Sequence, residues 1–266
     1  MAKAHILLNS WSLDAIATST NEVSDIRARA SAMLNYSPSR RWKTNDLTAM
    51  QAILDTGSPK PWDTLFLGYT NATAAATLRI TSDNNSGVLF TSPAYDPGAA
   101  TLRMPANGEF ISWFALHQAS STQTYQYIGI EVVDGANPDG FFTAGIAYVG
   151  NRFTPSLHAN LGADDGHEDL SIPIRLSNGE TRVRRRVRKG GQGFQWEFLP
   201  EMDTMFFRNL FRTYGKSTPV VLWREPEETG NEHNLINYGF LDFPRRPVKE
   251  QAPYGRHSVS LEINEI

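Results

Sequence analysis

The sequence predicts a mainly β protein, a jelly-roll β-sandwich followed by a small β-rich domain with one helix. Apolar and polar residues alternate in many short runs, which is the period of half-buried strands. The 266 residues include 20 glycines and 15 prolines, scattered between these runs where an all-β fold needs its turns. Only residues 200–214 have the spacing of an amphipathic helix.

Composition restricts the class of protein. Hydrophobic residues make up 40% and charged residues 20% of the chain, as in ordinary globular proteins with a real core. The net charge of −3 gives no general attraction to nucleic acid, and the absence of cysteine excludes disulfides and cysteine-bound zinc. No segment approaches the length of a membrane span, and the first residues lack a signal-cleavage pattern, so we expect synthesis in a cytosol.

The first half of the chain predicts roughly eight short strands. A small strand is expected at residues 5–8. Residues 23–34 fit neither period cleanly, and we favour a strand over a short helix there. Pro38 fixes an extended loop that Trp42 closes. The remaining predicted strands lie at residues 62–71, 76–81, 88–91, 102–104, 110–116 and 125–133, with polar turns between them, which indicates a β-sandwich or jelly roll.

Residues 129–156 predict a strand, a turn and a second strand that join two modules. Ile128, Ile130 and Val132 alternate with their neighbours, and residues 134–140 form a dense turn signal of glycine, asparagine, proline and aspartate. The apolar run at 141–150 begins the next strand. We therefore divide the chain into residues 1–150, whose first 20 or so form an arm or a leading strand, and residues 151–266.

In the second module, the sequence predicts a few strands around one helix. Asn178-Gly179 is a strong hairpin signal between strands at 172–177 and 181–189. The glycine-rich residues 190–193 predict a flexible break, and strands follow at 194–198, 218–223, 235–243 and 257–263.

The predicted helix at 200–214 has recognisable limits. Met202, Phe206 and Leu210 fall at i, i+4 and i+8, the spacing of an apolar stripe. Pro200 stands at the start and Gly215 just past the end, where these two residues are favoured.

Two parts of this order resemble known families. Residues 36–44, which include Trp42-Lys43-Thr44, and residues 62–71, an apolar strand ending in Asn71, resemble the galactose-binding-like (discoidin-type) jelly roll. Residues 133–141, with the form D-x-x-N-P-D-G, lead into G-x-x-x-x-G and an aromatic-x-Pro over residues 144–155. That pattern resembles minor tail proteins of long-tailed bacteriophages.

The resemblance implies a virion component at the phage tail tip, near the distal-tail ring and made in the host cytoplasm. Such a protein would assemble in a ring with copies of itself and contact other tail proteins, such as the tail tube and the hub. The resemblance implies no enzyme activity. An alternative function, from another class, is a carbohydrate-binding module that attaches the virion to a cell-surface glycan.

A basic run is the sharpest local feature of the sequence. On one strand, alternate residues share a face, and four arginines would do so: Arg182, Arg184, Arg186 and Arg188. This face predicts docking of an acidic neighbouring subunit or contact with passing DNA. The competing interpretation is an intramolecular ladder with Glu197, Glu201 or residues 225–228. The negative net charge and the lack of interleaved aromatic residues argue against DNA as the main partner.

Aromatic residues near loops are candidates for stacking on a sugar. Trp42, Tyr69 and Tyr95 are the candidate glycan contacts, since an exposed ring with polar neighbours suits a sugar face. Burial in the sandwich core is the competing interpretation, and we favour it for Trp42 and Trp113.

The sequence gives no defensible catalytic, cofactor or metal site. Paired carboxylates at 134/139, 164/165 and 225–228 lie mostly in predicted turns, and no nucleophile triad or phosphate loop is present. The histidines at 158 and 167 follow no ligand spacing. Residues 83–87 offer oxygens that suit Ca²⁺, although such turns commonly form without metal. We therefore predict a non-enzymatic protein without cofactor.

Overall fold

The fold comes from a computed structural model, which describes residues 3–8, 14–35, 37, 39–73, 75–101, 113–159, 165–169, 172–175, 181–184, 188–215, 217–223, 236–242 and 257–265. These residues form many strands, one α-helix and three short 3-10 helices, which confirms the prediction of a mainly β chain. No helix in this part of the chain has the length and apolarity needed to cross a membrane. The chain divides into two compact units, residues 6–153 with 227–235, and residues 1–5, 154–226 and 236–266. We call them the first unit and the second unit, in that order.

The first unit is built from antiparallel strands. Its strands are β1 (His5–Leu8), β2 (Ile16–Thr18), β3 (Trp42–Lys43), β4 (Met50–Thr70), β5 (Thr77–Asp83), β6 (Ala99–Thr101), β7 (Trp113–Val133), β8 (Thr143–Ala144) and β9 (Ile146–Phe153). The main sheet has the order β1-β9-β4-β7-β5-β6, with β2 also paired to β4, and β3 pairs separately with β8.

The ribbon of β4 and β7 belongs to two layers. The first half of β4 and the last part of β7 pair with β2 and β5 respectively, whereas the second half of β4 pairs with β9. The register between β4 and β7 shifts after Asp55 and again after Trp62, and such irregularities bend strands. Layer A is therefore β2, β5, β6 and the adjoining ribbon, and layer B is β1, β9 and the rest of the ribbon.

Side chains from both halves of the ribbon share one core. Ala52 and Leu54 from layer A belong to the same buried cluster as Trp62, Leu65 and Leu67 from layer B. This shared cluster is the packing expected of a β-sandwich. Burial of each such leucine contributes roughly 1.5–3 kcal/mol relative to exposure.

The turn at 134–140 is closed by hydrogen bonds of buried polar groups. The Asp134 carboxylate, 3% exposed, accepts from the Thr73 hydroxyl, from Thr73 N at 2.8 Å and from Asn137 Nδ2 at 3.0 Å. Asn71 donates to Asp139 at 2.8 Å and accepts from a backbone N–H at 2.7 Å. These bonds give the asparagines and aspartates of the turn a structural role.

The second unit contains one sheet, one hairpin and the helix. The sheet order is β10-β13-β16-β15-β14, and β11 pairs with β12 apart from it. Trp196 of the sheet packs against Phe207 of the helix with ring centroids 5.1 Å apart. The elements are β10 (Asp165–Asp169), β11 (Ile172–Arg175), β12 (Thr181–Arg184), β13 (Arg188–Leu199), α1 (Glu201–Thr213), β14 (Pro219–Trp223), β15 (Ile236–Asp242) and β16 (His257–Glu265).

The helix is where the sequence predicts it, but its buried face differs in part. Leu210 is buried as expected, whereas Met202 is 77% exposed. The buried positions are Asp203, Thr204, Phe207 and Leu210. Asp203 belongs to that face because its carboxylate accepts a hydrogen bond from Ser156 N at 2.7 Å.

Residues 23–34 contain two short 3-10 helices and no strand, so the favoured strand there is wrong. Ile26–Ala28 and Ala30–Leu34 are 3-10 helices. The Asp25 carboxylate accepts from Arg27 N at 2.9 Å, and Glu22 accepts from Ala30 N at 2.7 Å. Side-chain capping of free N–H groups favours a helical start over a strand.

Two further predictions of local structure fail. In place of the strand predicted at 88–91, Val88 ends the 3-10 helix Ser86–Val88 and residues 89–91 form a turn, and Asn85 caps that helix. The glycines at 190–193 lie inside β13 instead of forming a break, because neighbours on both sides hold the backbone: Gly191 pairs with Gly166 and with Asn264. Residues 102–112, where one further strand and the start of another are predicted, lie outside the described residues.

Candidate functional site

The outer face of layer A carries three rows of side chains. Residues directly opposite each other on neighbouring strands point to the same face. The residues next to them along each strand, among them Leu54, Ile130 and Ile80, point to the other face, into the core. The pairing register defines the rows as Gln51–Glu131–Arg79, Ile53–Gly129–Thr81 and Asp55–Tyr127–Asp83. We call this surface the outer face.

The first row is a chain of planar polar groups. The Arg79 guanidinium donates to both oxygens of Asp96, at 3.1 and 2.6 Å, and to Glu131 at 3.0 Å. Glu131 also accepts from the Gln51 amide. The side chains of Arg79, Asp96 and Glu131 are 21%, 30% and 21% exposed. We call these four residues the polar row.

The charges of the polar row stabilise one another. The hydrogen bond from Arg79 holds the pKa of Asp96 below its ordinary value, and Asp96 and then Glu131 hold the pKa of Arg79 above its own. Because solvent reaches the row, each ion pair adds at most about 1 kcal/mol to stability. These hydrogen bonds also fix the orientation of the planar groups in the row.

An aromatic ring lies at the centre of the outer face. A Cβ on Gly129 would lie 3.0 and 3.2 Å from two ring carbons of Phe90 and 2.5 Å from Thr81 Oγ1. Only glycine lets the half-buried ring approach the sheet so closely. The Phe90 carbonyl also accepts from Arg79 Nη1 at 3.4 Å. The ring and the polar row are therefore neighbours fixed to the same strands.

Exposed aliphatic side chains border the same face. Ile16, 66% exposed, pairs with Asp55, and Val133, 58% exposed, pairs with Thr77. Exposed apolar area next to fixed polar groups is typical of interaction surfaces. The outer face thus combines an aromatic ring, planar hydrogen-bonding groups and open apolar area.

A second aromatic cluster closes the side of the sandwich. Tyr95 pairs with Ser82 along the edge of β5, and its hydroxyl is 2.9 Å from His117 Nε2 on β7. Its ring meets Trp62 edge-on, with centroids 5.5 Å apart. Burial lowers the pKa of His117 to about 4, so the imidazole is neutral at pH 7, and burial raises the pKa of Tyr95. The cluster joins layer A to layer B.

The three aromatic residues singled out in the sequence have different surroundings. Trp42 is fully buried, with its ring edge-on to Phe142 at 5.5 Å, so it offers no face to a sugar. Tyr69 is half-buried near the end of β4 and has a positive φ of 57°. Tyr95 points between the layers, but its neighbour Asp96 belongs to the polar row.

The arginine run does not form one strand. Arg182 and Arg184 lie on β12, opposite Ile174 and Ile172. Arg188 begins β13, in a different sheet, opposite Asp169. Arg186 lies outside the described residues. The predicted strand over 181–189 is therefore divided, and a partner contact by these arginines stays a prediction.

The oxygen-rich loop at 83–87 uses its side-chain acceptors on backbone N–H groups, both its own and those of neighbouring segments. Asp83 accepts from Asn85 N at 2.9 Å and from Ala94 N at 2.7 Å, and Asn85 accepts from Gly87 N at 3.0 Å. In the part of the chain that the structure describes, no group of three or more histidine and carboxylate side chains could hold a metal ion.

Gly129 is the one residue whose type could have indicated the outer face from the sequence. Gly129 lies inside β7 between Ile128 and Ile130, and a glycine inside a strand often marks a close approach. Phe90 carried no comparable signal, because residues 88–91 resemble a strand.

Comparison with known proteins gives similar folds at low identity. No protein family and no curated protein matches the sequence. Chitosan-binding module 1 of a chitosanase/glucanase from Paenibacillus sp. IK-5 is 17% identical, with a TM-score of 0.39 over 53% of this chain and 98% of that one.

Two other solved structures are similar over the same share of the chain. The family 32 carbohydrate-binding module of NanJ from C. perfringens, in complex with galactose, is 14% identical, with a TM-score of 0.42 over 56% of this chain and 99% of that one. A Ruminococcus gnavus GH29 fucosidase in complex with fucose is 13% identical, with a TM-score of 0.42 over 55% of this chain and 28% of that one. Values this low indicate a similar fold and carry no argument about ligands.

Proposed function

We propose that the first unit is a carbohydrate-binding module and that a neutral glycan binds on its outer face. The observation that carries this proposal is the Phe90 ring, held against Gly129 directly beside the polar row. A sugar needs both features at once, since one side of its ring is apolar and its edge is lined by hydroxyl groups.

The proposed contacts follow from the chemistry of the face. The apolar side of a pyranose packs on Phe90 and on the neighbouring aliphatic side chains. Its hydroxyls replace their hydrogen bonds to water by hydrogen bonds to the carboxylates of Asp96 and Glu131 and to the amide of Gln51. Because Arg79 already holds both carboxylates in place, little side-chain entropy is lost on binding.

The charge of the polar row selects among sugars. Arg79 contributes one positive charge, and Asp96 and Glu131 contribute two negative charges. The net negative charge repels the carboxylate of an acidic sugar. We therefore expect neutral oligosaccharides to bind more tightly than sialylated or uronic-acid oligosaccharides of the same length.

Titration calorimetry of the full chain tests this proposal. The probes are galactose-terminated oligosaccharides, N-acetylglucosamine oligomers and a sialylated oligosaccharide. We expect Phe90→Ala to weaken binding of the neutral probes at least tenfold. Ile26→Ala, which truncates a 72% exposed side chain elsewhere on the first unit, is the matched control and should bind like the unmodified chain. Absence of binding to every probe, or equal binding by both variants, would contradict the proposal.

A second function, structural assembly, is favoured by a separate observation. In the second unit, three large apolar side chains within eight residues are exposed: Phe198 at 63%, Met202 at 77% and Met205 at 49%. We propose that this patch is covered when the chain assembles, in the setting that the sequence resemblance implies, a phage tail tip. Electron microscopy of the concentrated protein should show ring-like or larger assemblies, and particles of monomer size throughout would contradict it.

A further inference from the structure

The exposed side of α1 has the spacing of a helix–helix seam. Glu201, Met205, Arg208 and Arg212 fall at i, i+4, i+7 and i+11, which places them along one stripe. Glu201 and Arg212 are exposed, Met205 is 49% exposed and Arg208 is half-buried. The buried residues Phe207 and Leu210 lie on the opposite side of the helix, and the buried Thr204 lies between the two faces. The stripe is therefore a second face, distinct from the one that packs on the sheet.

A strained aromatic residue stands just before the helix. The pairing of β13 with β16 shifts between Trp196 and Leu199, and the extra residue allows both of these side chains to be fully buried. Phe198 then has a φ of 61° and a ring that is 63% exposed. Such a backbone conformation costs a bulky residue on the order of 1–3 kcal/mol, and strain of this kind concentrates at functional contacts.

The charges of the stripe are complementary to the same stripe turned end for end. Glu201 opens the helix, Arg212 lies eleven positions later, and about 16 Å separates them along the axis. Neither takes part in an ion pair within the described residues. An antiparallel copy would set each Glu201 against an Arg212 and oppose the two helix dipoles, which is favourable. A parallel copy would set like charges together.

We propose that a second copy of this chain docks on the stripe, so that two α1 helices pair antiparallel about a two-fold axis. This inference rests on the second proposed function, assembly, and names its partner and one contact. A two-fold axis makes the interface self-complementary, as in most homodimers. It brings Met205 of each chain against the aliphatic stem of Arg208 of the other, with Met202 and Phe198 at the border.

The two Arg208 side chains weaken the proposed helix pair. Two Arg208 side chains approach each other near the axis, and their like charges oppose association. We expect Arg208→Gln to tighten the dimer several-fold. A partner of purely acidic surface would respond in the opposite direction, because it would lose an attractive charge.

Sedimentation equilibrium of the full chain over a wide concentration range is the test. We expect a monomer–dimer equilibrium that Met205→Glu abolishes. Glu201→Arg and Arg212→Glu should each weaken the dimer about tenfold, since each reversal replaces two attractions by two repulsions. The double variant E201R/R212E should recover the original dissociation constant. Arg27→Glu, a reversal of an exposed arginine on the first unit, is the matched control and should change nothing.

The outcomes separate this inference from the functions on which it depends. Assembly that persists unchanged in Met205→Glu and in both charge reversals overturns the antiparallel pair but leaves assembly standing. A monomer at every concentration overturns both, and flotation of that monomer with phosphatidylserine vesicles would assign the stripe to a membrane surface. Glycan binding by Met205→Glu should equal that of the unmodified chain whichever result is found.

Discussion

Substitution of Gly129 by alanine tests the packing at the centre of the outer face. The new methyl carbon would lie 2.5 Å from Thr81 Oγ1 and 3.0 Å from the Phe90 ring, whereas ordinary contact begins at 3.4 Å. The ring must therefore retreat by about 0.4 Å, and the Thr81 side chain must move by about 0.9 Å or rotate.

The cost of this substitution follows from two opposing effects. Overpacking by one methyl group destabilises a protein by about 1–3 kcal/mol. Alanine restricts the unfolded chain more than glycine does, which by itself raises the free energy of unfolding by about 0.4–1 kcal/mol. We expect Gly129→Ala to lower the free energy of unfolding by about 1–2 kcal/mol and to weaken glycan binding, because Phe90 is displaced.

A double-mutant cycle with Phe90→Ala isolates the ring contact. Without the ring, only the clash with Thr81 remains, so Gly129→Ala should cost at least about 0.5 kcal/mol less in that background. Urea unfolding followed by tryptophan fluorescence measures each variant, with the midpoint compared at an unchanged m-value. Equal costs in the two backgrounds would show that Phe90 does not pack on Gly129, and the proposed glycan site would then lose its central ring.

Three further predictions concern stability. His117 has a pKa of about 4 in the fold against 6.5 for the ordinary side chain, so its contribution is fully present above pH 6.5 and is lost as the pH falls toward 4. Urea unfolding at pH 7 and pH 4.5 should therefore show a loss, at most about 3 kcal/mol, that is smaller in His117→Gln. Asp134→Ala removes three hydrogen bonds to a buried carboxylate and leaves Thr73 N and the Thr73 hydroxyl without this partner, so it should cost about 2–3 kcal/mol. The exposed Asp139→Ala, which breaks one hydrogen bond, should cost under about 1 kcal/mol, and similar thermal midpoints for the two variants would refute this. Phe198→Gly relieves the positive φ and should raise the free energy of unfolding by up to about 1 kcal/mol in a denaturant titration, and a loss of stability would show that the ring supports the fold.

The fold class was predictable because it depends on local periodicity. The sequence pattern identified β1, β5 and β16, and the helix spacing located α1 within a residue or two at each end. The great lengths of β4 and β7 were missed, because register shifts at Asp55 and Trp62 let these strands continue through residues that resemble turns. The break predicted at the glycines of β13 was wrong because pairing with strands on both sides overrides the weak local preference of glycine against strands.

The two faces proposed for function differ in how far a sequence can reveal them. The stripe on α1 lies within thirteen residues, and its spacing is visible once burial shows which side of the helix the sheet covers. The polar row is different, because Gln51 and Glu131 are 80 residues apart and Arg79 and Glu131 are 52 apart. Only the register of β4, β7 and β5 brings them together, and a shift of one residue in any strand would turn its contribution into the core. A change that alters this register should therefore abolish glycan binding while the α1 pair persists, which makes the two proposals separable in one protein.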